Sequence, residues 1–256
     1  MWTTNLKPFC GFLILAFLTL APASAQISSG AGGDLPCVPR DLGFAADKAV
    51  WSAHPLSKLK RDTQYSLETQ AGLTGHTALL AQADASASLF VSKLNPAAML
   101  APPPWLSWQW KAEALVPGAD NKDKRREDAP LRVLLAFDGD VKKLPAKEQR
   151  RFKLAKALLG AAPPYAVLMY IWSEQWPVGT LIPSAHSSRV QMMVASSGSQ
   201  ELGHWQPMQR NLHEDYRRAF GEAPGALLAL AVMTDTDNTG QKARGWYADL
   251  QLKCLP

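Results

Sequence analysis

The spacing of apolar and polar residues along the chain predicts mainly β-strands. Residues 105–114 alternate strictly, as in a strand with one buried face, and we expect Trp108 and Trp110 to lie in the core. Residues 131–137 and 165–172 are apolar at almost every position, which is typical of strands buried on both faces. About nine strands without βαβ order predict a mainly β fold, a jelly-roll-like antiparallel β-sandwich.

Two segments have apolar residues at helical spacing instead. They are residues 145–159, which end at Gly160, and residues 210–220, which end at Gly221. We predict two short helices there.

The last two apolar stretches are predicted to pair as a hairpin. Residues 228–233 are apolar throughout, residues 234–240 are polar and acidic, and residues 244–252 alternate. Short carboxylate and amide side chains suit a turn because they hydrogen-bond nearby backbone N–H groups. The alternation predicts that Trp246, Ala248, Leu250 and Leu252 share one face, and that Tyr247, Asp249 and Gln251 share the other.

The N-terminus has the pattern of a secretory signal peptide. Lys7 is followed by a short apolar run over residues 9–20 and then by small residues at positions 23–25. We predict a signal peptide at residues 1–25 and a periplasmic or secreted mature protein without a membrane span. Gly and Ser predict a flexible lead-in over residues 26–40, and residues 41–256 are predicted to form a single β-sandwich domain.

The predicted mature chain retains two cysteines, Cys37 and Cys254, because Cys10 lies inside the signal peptide. In an oxidising compartment, two cysteines at opposite ends of a domain are more often paired than free. We therefore predict a Cys37–Cys254 disulfide, with two free thiols as the alternative.

The charge of the chain excludes one class of partner. The net charge is +5, which is modest for 256 residues, and no nucleic-acid-binding motif accompanies it. We predict no nucleic-acid partner. Several of the bases are concentrated around the helix predicted at residues 145–159. We expect that helix to have a solvated basic face, with contact to anionic lipid or a polyanion as the alternative.

The acidic loop near the C-terminus resembles the first half of a calcium-binding loop. Asp235, Asp237 and Thr239 alternate before Gly240, but Trp246 stands where the bidentate glutamate is required. We predict no cofactor and no metal. The alternative is a looser Ca²⁺ site, for which the candidate ligands are Asp235, Asp237 and Asp249. Without a metal, Arg210 or Arg244 is expected to neutralise these carboxylates.

No catalytic motif is complete in this sequence. His213-Glu214-x-x-Arg217 lacks the second histidine of a zinc-protease helix, and no Gly-x-Ser-x-Gly motif or phosphate-binding loop is present. Indoles that stack on sugar rings, together with amides, carboxylates and arginines that bind hydroxyl groups, suit a sugar site. The candidate ligand-binding residues are Trp172, Trp176, Arg189, Arg210, Asp215, Asp235, Asp237, Asn238 and Tyr247.

A series of motifs spans nearly the whole predicted mature chain. They are Trp108-x-Trp110-Lys111, Arg132 to Phe137-Asp138-Gly139, Tyr170-x-Trp172 to Val178-Gly179-Thr180, Arg210-Asn211-x-x-Glu214-Asp215-Tyr216-Arg217-Arg218-x-Phe220-Gly221, and Met233-Thr234-Asp235-Thr236-Asp237-Asn238-Thr239-Gly240. In this order they resemble the bacterial domain-of-unknown-function 3047 family. The resemblance implies an exported single-domain protein and supplies no reaction.

Three hypotheses for function follow. The favoured one is an exported, non-catalytic β-sandwich that binds a glycan or another cell-envelope component, by analogy with the architecture. The second is a hydrolytic enzyme that uses Asp215, Asp235 or Asp237 as acid or base. The third is a structural or interaction protein of an envelope complex.

Overall fold

The computed structural model describes residues 39–45, 50–57, 59–70, 73, 77–98, 104–160, 162–185 and 187–254, with only the backbone at 95–98, 158, 159 and 254. The strands are β1 (Arg40–Asp41), β2 (Trp51–Pro55), β3 (Gln64–Thr69), β4 (Thr77–Asp84), β5 (Ser88–Ala98), β6 (Pro104–Ala112), β7 (Ala129–Phe137), β8 (Ala166–Ser173), β9 (Leu181–Pro183), β10 (Val190–Ser197), β11 (Gln206–Asn211), β12 (Leu227–Asp235) and β13 (Lys242–Cys254). The helices are α1 (Ala146–Leu159), α2 (Leu212–Phe220) and a 3₁₀ turn, Val141–Lys143. No helix in these ranges is long and apolar enough to cross a membrane.

Two sheets packed face to face form a β-sandwich. The six-stranded sheet has the order β11-β6-β13-β4-β3, and β1 pairs with β13 outside this row. The seven-stranded sheet has the order β2-β5-β12-β7-β8-β10-β9. Neighbouring strands are antiparallel except β8 and β10, which are parallel. The predicted mainly β, antiparallel sandwich is confirmed. The structure also has short strands whose sequences show little alternation of apolar and polar residues.

The main hydrophobic core lies between the two sheets. Trp108 and Trp110 of β6 are 1% and 0% exposed, and their ring centroids are 5.4 Å apart in an edge-to-face arrangement. Trp108 also stacks on Tyr170 of β8, with 5.2 Å between ring centroids. The prediction that both tryptophans are core residues is confirmed. A second apolar cluster, which includes Leu134 and Met169, lies on the other face of the seven-stranded sheet.

The predicted terminal hairpin is wrong, because β12 and β13 belong to different sheets. β12 lies between β5 and β7, whereas β13 lies between β4 and β6. β12 is apolar on both faces, so it is buried as a central strand rather than paired with the half-polar strand that follows. Residues 236–241 therefore form a crossover between the sheets at one end of the sandwich.

β13 changes its inward-facing side partway along its length. Tyr247 lies in the core between the sheets, whereas Trp246 lies on the outer face of the six-stranded sheet. Asp249 then adopts a left-handed φ of 51°, the register with β6 shifts there, and Leu250 points inward. The predicted common face of Trp246 and Leu250 is therefore wrong, since an inserted residue reverses the alternation beyond it.

Both predicted helices are confirmed. α1 ends at Gly160, whose φ of 76° is the left-handed conformation that closes a helix. α2 begins later than predicted, because Arg210 and Asn211 still belong to β11. The Asn211 side chain accepts hydrogen bonds from the backbone N–H groups of His213 and Glu214 at 3.1 and 3.2 Å, which caps the helix.

Several predictions fall on parts of the chain outside the described residues. These are the signal peptide at residues 1–25, most of the lead-in at residues 26–40, and Cys37 together with the side chain of Cys254. The signal peptide and the disulfide therefore stay predictions.

Trp108→Ala should lower the free energy of unfolding by about 3–5 kcal/mol, because it opens a cavity between the sheets. Urea denaturation followed by circular dichroism measures this change. Trp205→Ala is the matched control, since that indole is partly exposed and its loss should cost clearly less. A loss below about 1 kcal/mol for Trp108→Ala would contradict its place in the core.

Candidate functional site

The crossover between β12 and β13 brings three carboxylates together. Asp235 is the last residue of β12, Asp237 follows in the crossover, and Asp128 immediately precedes β7. β7 and β12 are neighbours, with Asp235 opposite Ala129, so Asp128 reaches the same end of the sheet. One oxygen from each carboxylate lies within 4.8 Å of the others. We call Asp128, Asp235 and Asp237 the acidic cluster.

The buried guanidinium of Arg132 neutralises one member of this cluster. Arg132 is 1% exposed, and it donates from Nε to Asp235 Oδ1 at 2.7 Å and from Nη2 to Asp235 Oδ2 at 3.1 Å. Nη2 also donates to the backbone oxygen of Glu127 at 2.6 Å. The expectation that Arg210 or Arg244 neutralises the cluster is wrong, because each of them pairs with a different acid.

The other two carboxylates have partners of different kinds. Lys60 Nζ donates to Asp237 Oδ2. Asp128 accepts from the backbone N–H groups of Asn238 at 3.3 Å and Thr239 at 2.7 Å. One carboxylate is thus held by an arginine, one by a lysine and one by the backbone of the crossover itself.

Burial and like charge oppose full ionisation of the acidic cluster. Burial raises the pKa of Asp235 to about 7; Arg132 acts against this rise, and the charge of Asp128 adds to it. Burial also raises the pKa of Glu127. Burial alone would lower the pKa of Arg132, but the charges of Asp235 and Glu127 raise it above its ordinary value. Arg132 is therefore held as a cation.

The acidic cluster carries the oxygen ligands that Ca²⁺ prefers, but protein cations already bind two of its members. An ion at the cluster would have to displace the ammonium of Lys60. The third metal candidate, Asp249, is not in the cluster, and its carboxylate accepts from Gln109 Nε2 at 2.8 Å. The arrangement is that of a brace that fixes the crossover against β7, and a Ca²⁺ ion remains the alternative hypothesis.

Two of the predicted ligand-binding aromatic residues lie in the core. Trp172 is 1% exposed, and its Nε1 donates to the backbone oxygen of Gly198 at 3.0 Å. Tyr247 is 0% exposed, and its hydroxyl donates to the backbone oxygen of Met233 at 2.6 Å. Both rings pack between the sheets and present no surface to a ligand here.

Three further predicted residues form ion pairs around α2. Arg210 binds both carboxylate oxygens of Asp215 at 2.7 and 2.6 Å, and Asp215 also accepts from the Tyr170 hydroxyl at 2.8 Å. Arg189 donates to Glu222 Oε1, just beyond α2, at 2.6 Å. The Arg210–Asp215 pair joins α2 to β11 of the six-stranded sheet, and the bonds from Tyr170 and Arg189 hold α2 and its following turn against the seven-stranded sheet.

The last two predicted residues lie at the crossover end of the sandwich. Asn238 is exposed in the crossover, and Trp176 is partly exposed in the loop after β8. β8 runs antiparallel to β7, so its end meets the start of β7, where the acidic cluster lies. Trp176 Nε1 donates to Asp120 Oδ1 at 3.1 Å, and Lys122 Nζ lies 3.3 Å from the Trp176 ring centroid.

A polar groove of about 390 Å³ opens beside the crossover on the outer face of the six-stranded sheet. Gln64 of β3 lies opposite Gln82 of β4, and Gln82 lies opposite Arg244 of β13. Side chains directly opposite on adjacent strands share a face, so the three form a row across the sheet. Glu113 extends the row, since its Oε1 accepts from Arg244 Nη1 at 2.9 Å. We call this feature the polar groove.

Two indoles lie on the same face of the sheet as the polar groove, outside its lining. Trp246 is two residues beyond Arg244 on β13, and its Nε1 donates to Glu68 Oε2 at 2.8 Å. Lys111 Nζ lies 4.4 Å from the Trp246 ring centroid and 5.1 Å from that of Trp205. Trp246 is largely covered, whereas Trp205 is partly exposed.

The polar groove was not predicted from the sequence. The alternation in β4 does place Gln82 and Asp84 on its polar side, which is a readable local signal. The residues beside them come from strands distant in the chain, and no local pattern indicates that pairing.

Asp235→Ala should lower the free energy of unfolding by about 3–5 kcal/mol, because it leaves the Arg132 guanidinium buried without its carboxylate. Urea denaturation measures the change. Asp84→Ala is the matched control: Asp84 pairs with Lys242 at 3.2 Å on the surface, where such a bond contributes about 0–1 kcal/mol. Equal costs for the two variants would show that Arg132 does not depend on Asp235.

Chelation should leave the Tm unchanged, because Lys60 and Arg132 already supply positive charge to the acidic cluster. A bound ion at a hundred times its Kd would instead contribute about 2.7 kcal/mol. Thermal melts with a chelator and with added Ca²⁺ measure this effect. The same melts on Lys60→Gln, which removes the ammonium from Asp237, serve as the comparison. A fall in the Tm of the unaltered protein on chelation, reversed by Ca²⁺, would establish the metal hypothesis instead.

Comparison with known proteins places the chain in a family. The model described as "Protein of unknown function (DUF3047)" matches residues 49–251. No curated protein matches the chain. Among solved structures, the Family 11 Carbohydrate-Binding Module of a Clostridium thermocellum cellulosomal cellulase is 9% identical, with a TM-score of 0.41 over 86% of this chain and 97% of that chain.

Two further solved structures are similar to the same degree. The CBM22-1 xylan-binding domain from Paenibacillus barcinonensis is 12% identical, with a TM-score of 0.37 over 88% of this chain and 97% of that chain. The xyloglucanase domain of NopAA from Sinorhizobium fredii is 7% identical, with a TM-score of 0.41 over 88% of this chain and 100% of that chain. Likeness at this level carries no argument about a ligand. The family match covers most of the chain, and this protein therefore belongs to the DUF3047 family.

Proposed function

We propose that this protein is an exported, non-catalytic β-sandwich that binds a carbohydrate of the cell envelope in the polar groove. The observation that carries this proposal is the row of Gln64, Gln82 and Arg244 across adjacent strands of one sheet, extended by Glu113 just after β6. The groove volume of about 390 Å³ is in the range of small-ligand sites.

The chemistry of the row suits hydroxyl groups. Amide side chains both donate and accept hydrogen bonds, a carboxylate accepts them and a guanidinium donates several. A sugar ring presents hydroxyl groups of both kinds along its edge. Because the row stands on paired strands rather than on loops, Gln64, Gln82 and Arg244 are held at fixed spacing before a ligand arrives.

The charges of the polar groove indicate a neutral glycan rather than a polyanion. Its lining contains three basic residues and three acidic ones. Lys242 and Arg61 lie 3.2 and 3.9 Å from Asp84, and Arg244 is bound to Glu113. The groove therefore has no excess charge to attract an ionic ligand. A ligand that extends beyond the groove along this face would reach the partly exposed indole of Trp205.

The hydrolase hypothesis has weaker support from the same geometry. Hydrolysis by acidic side chains needs carboxylates that a substrate can reach. Asp215 and Asp235 are 3% exposed and each bound by an arginine, and Asp237 is bound by Lys60. The export part of the proposal depends on the signal-peptide pattern, which also supports a periplasmic or secreted location.

Gln82→Ala and Arg244→Ala should each weaken carbohydrate binding about tenfold, because each removes hydrogen bonds to the ligand. A panel of neutral and acidic cell-envelope polysaccharides is screened by affinity electrophoresis, and isothermal titration calorimetry then gives the Kd of the best ligand. We expect a neutral polysaccharide to bind.

Gln191→Ala and Arg217→Ala are the matched controls, since they remove the same side-chain types from β10 and from the exposed side of α2. Both controls should bind as the unaltered protein does. Equal binding by the groove variants, with their Tm preserved, would exclude the polar groove as the site. Binding to no polysaccharide would exclude the proposed function itself.

A further inference from the structure

The excess positive charge of this chain lies in one short stretch at α1. Between Lys142 and Lys156 there are seven lysines and arginines and one acid, Glu148, a net charge of +6. The whole chain has 27 basic and 22 acidic residues, a net charge of +5. The rest of the chain therefore has 20 basic and 21 acidic residues, and its net charge is −1.

Most of these cations have no acidic partner among the residues that the structure describes. Arg151 pairs with Glu148 at 2.8 Å. The exposed cations without an ion pair are Lys142, Lys143, Lys147, Arg150, Lys153 and Lys156. Some basic residues elsewhere on the surface do stand beside acids, as Arg126 does with Asp120 and Asp123. Like charges so close together repel, and an anionic partner would remove that repulsion.

The fold holds this basic face outward. On the opposite side of α1, Phe152 joins the core between the sheets and Ala155 is buried. Gln149 Nε2 donates to the backbone oxygens of Lys142 at 3.0 Å and Leu144 at 2.8 Å, which ties the preceding 3₁₀ turn to the helix. The six unpaired cations are therefore presented by α1 and by the 3₁₀ turn that is tied to it.

An exposed leucine lies among the cations. Leu154 is 53% exposed, and it follows Arg150 by about one helical turn and Lys147 by about two, so the three share a face. Helices that lie on a membrane combine bases, which bind lipid phosphates, with apolar side chains, which enter the acyl region. A soluble polyanion needs only the charges, so Leu154 favours a membrane as the partner.

We propose that α1 is a docking surface for an anionic phospholipid membrane. The helix lies along the membrane surface, with the six unpaired cations against lipid phosphates and Leu154 inserted at the level of the headgroups. This proposal does not depend on a ligand in the polar groove, and it requires no membrane-spanning segment.

Co-sedimentation of the full chain with vesicles tests the proposal. One set of vesicles is phosphatidylcholine alone, and the other contains about one third phosphatidylglycerol. We expect the chain to bind the anionic vesicles at least about tenfold more tightly, with the difference lost at about 500 mM NaCl. The triple variant Lys147→Gln, Arg150→Gln, Lys153→Gln should lose this preference, and Leu154→Ser should weaken binding to the anionic vesicles severalfold.

The matched control removes three exposed cations from other elements: Lys93→Gln, Lys124→Gln, Arg217→Gln. This control variant changes the net charge by the same amount as the α1 triple variant does. It should retain the preference for anionic vesicles. An unchanged preference in the α1 variant, or an equal loss in the control, would overturn the proposal. Tighter binding to soluble polyglutamate than to vesicles at equal anion concentration would overturn the membrane as the partner.

Discussion

A guanidinium that is buried away from water must make its hydrogen bonds to the protein itself. At Arg132 this requirement fixes how the chain is arranged at one end of the sandwich. Arg132 lies on the apolar outer side of the seven-stranded sheet, where Asp235 and the backbone of Glu127 bind it. Loss of either partner would leave a buried charge uncompensated. β7 and β12 must therefore keep their register, and β12 must end where Asp235 reaches Arg132.

The crossover that follows Asp235 joins this brace to the second sheet. Asp128 binds the crossover backbone, and Lys60 binds Asp237, so the chain enters β13 at a defined position. β13 begins at Lys242, which lines the polar groove. The brace thus supports the proposed binding surface from beside it. Of the carboxylates that look most like a reactive site in the sequence, Asp215 and Asp235 are buried and paired with arginines, and Asp237 is partly buried and paired with Lys60.

The surface of this protein carries charge in two different ways. In the polar groove each strong base stands beside an acid, so the side chains are oriented by one another and remain available to neutral hydroxyl groups. Around α1 the cations have one acid, Glu148, among them, and their field is not cancelled locally. The first arrangement suits short-range hydrogen bonding, and the second suits attraction to an anionic surface.

Features that depend on neighbours a few positions apart were predictable from the sequence: the strands apolar on both faces, the two helices, and the burial of Trp108 and Trp110. The sequence also carried the family motifs. It could not show that Asp249 adopts a left-handed conformation, which reverses the faces of β13. Strand pairing and charge partners became visible only in the folded chain, because they join distant residues: Lys60 and Asp237 are 177 positions apart in the sequence. The same holds for the polar groove, since its row joins strands that no local periodicity connects.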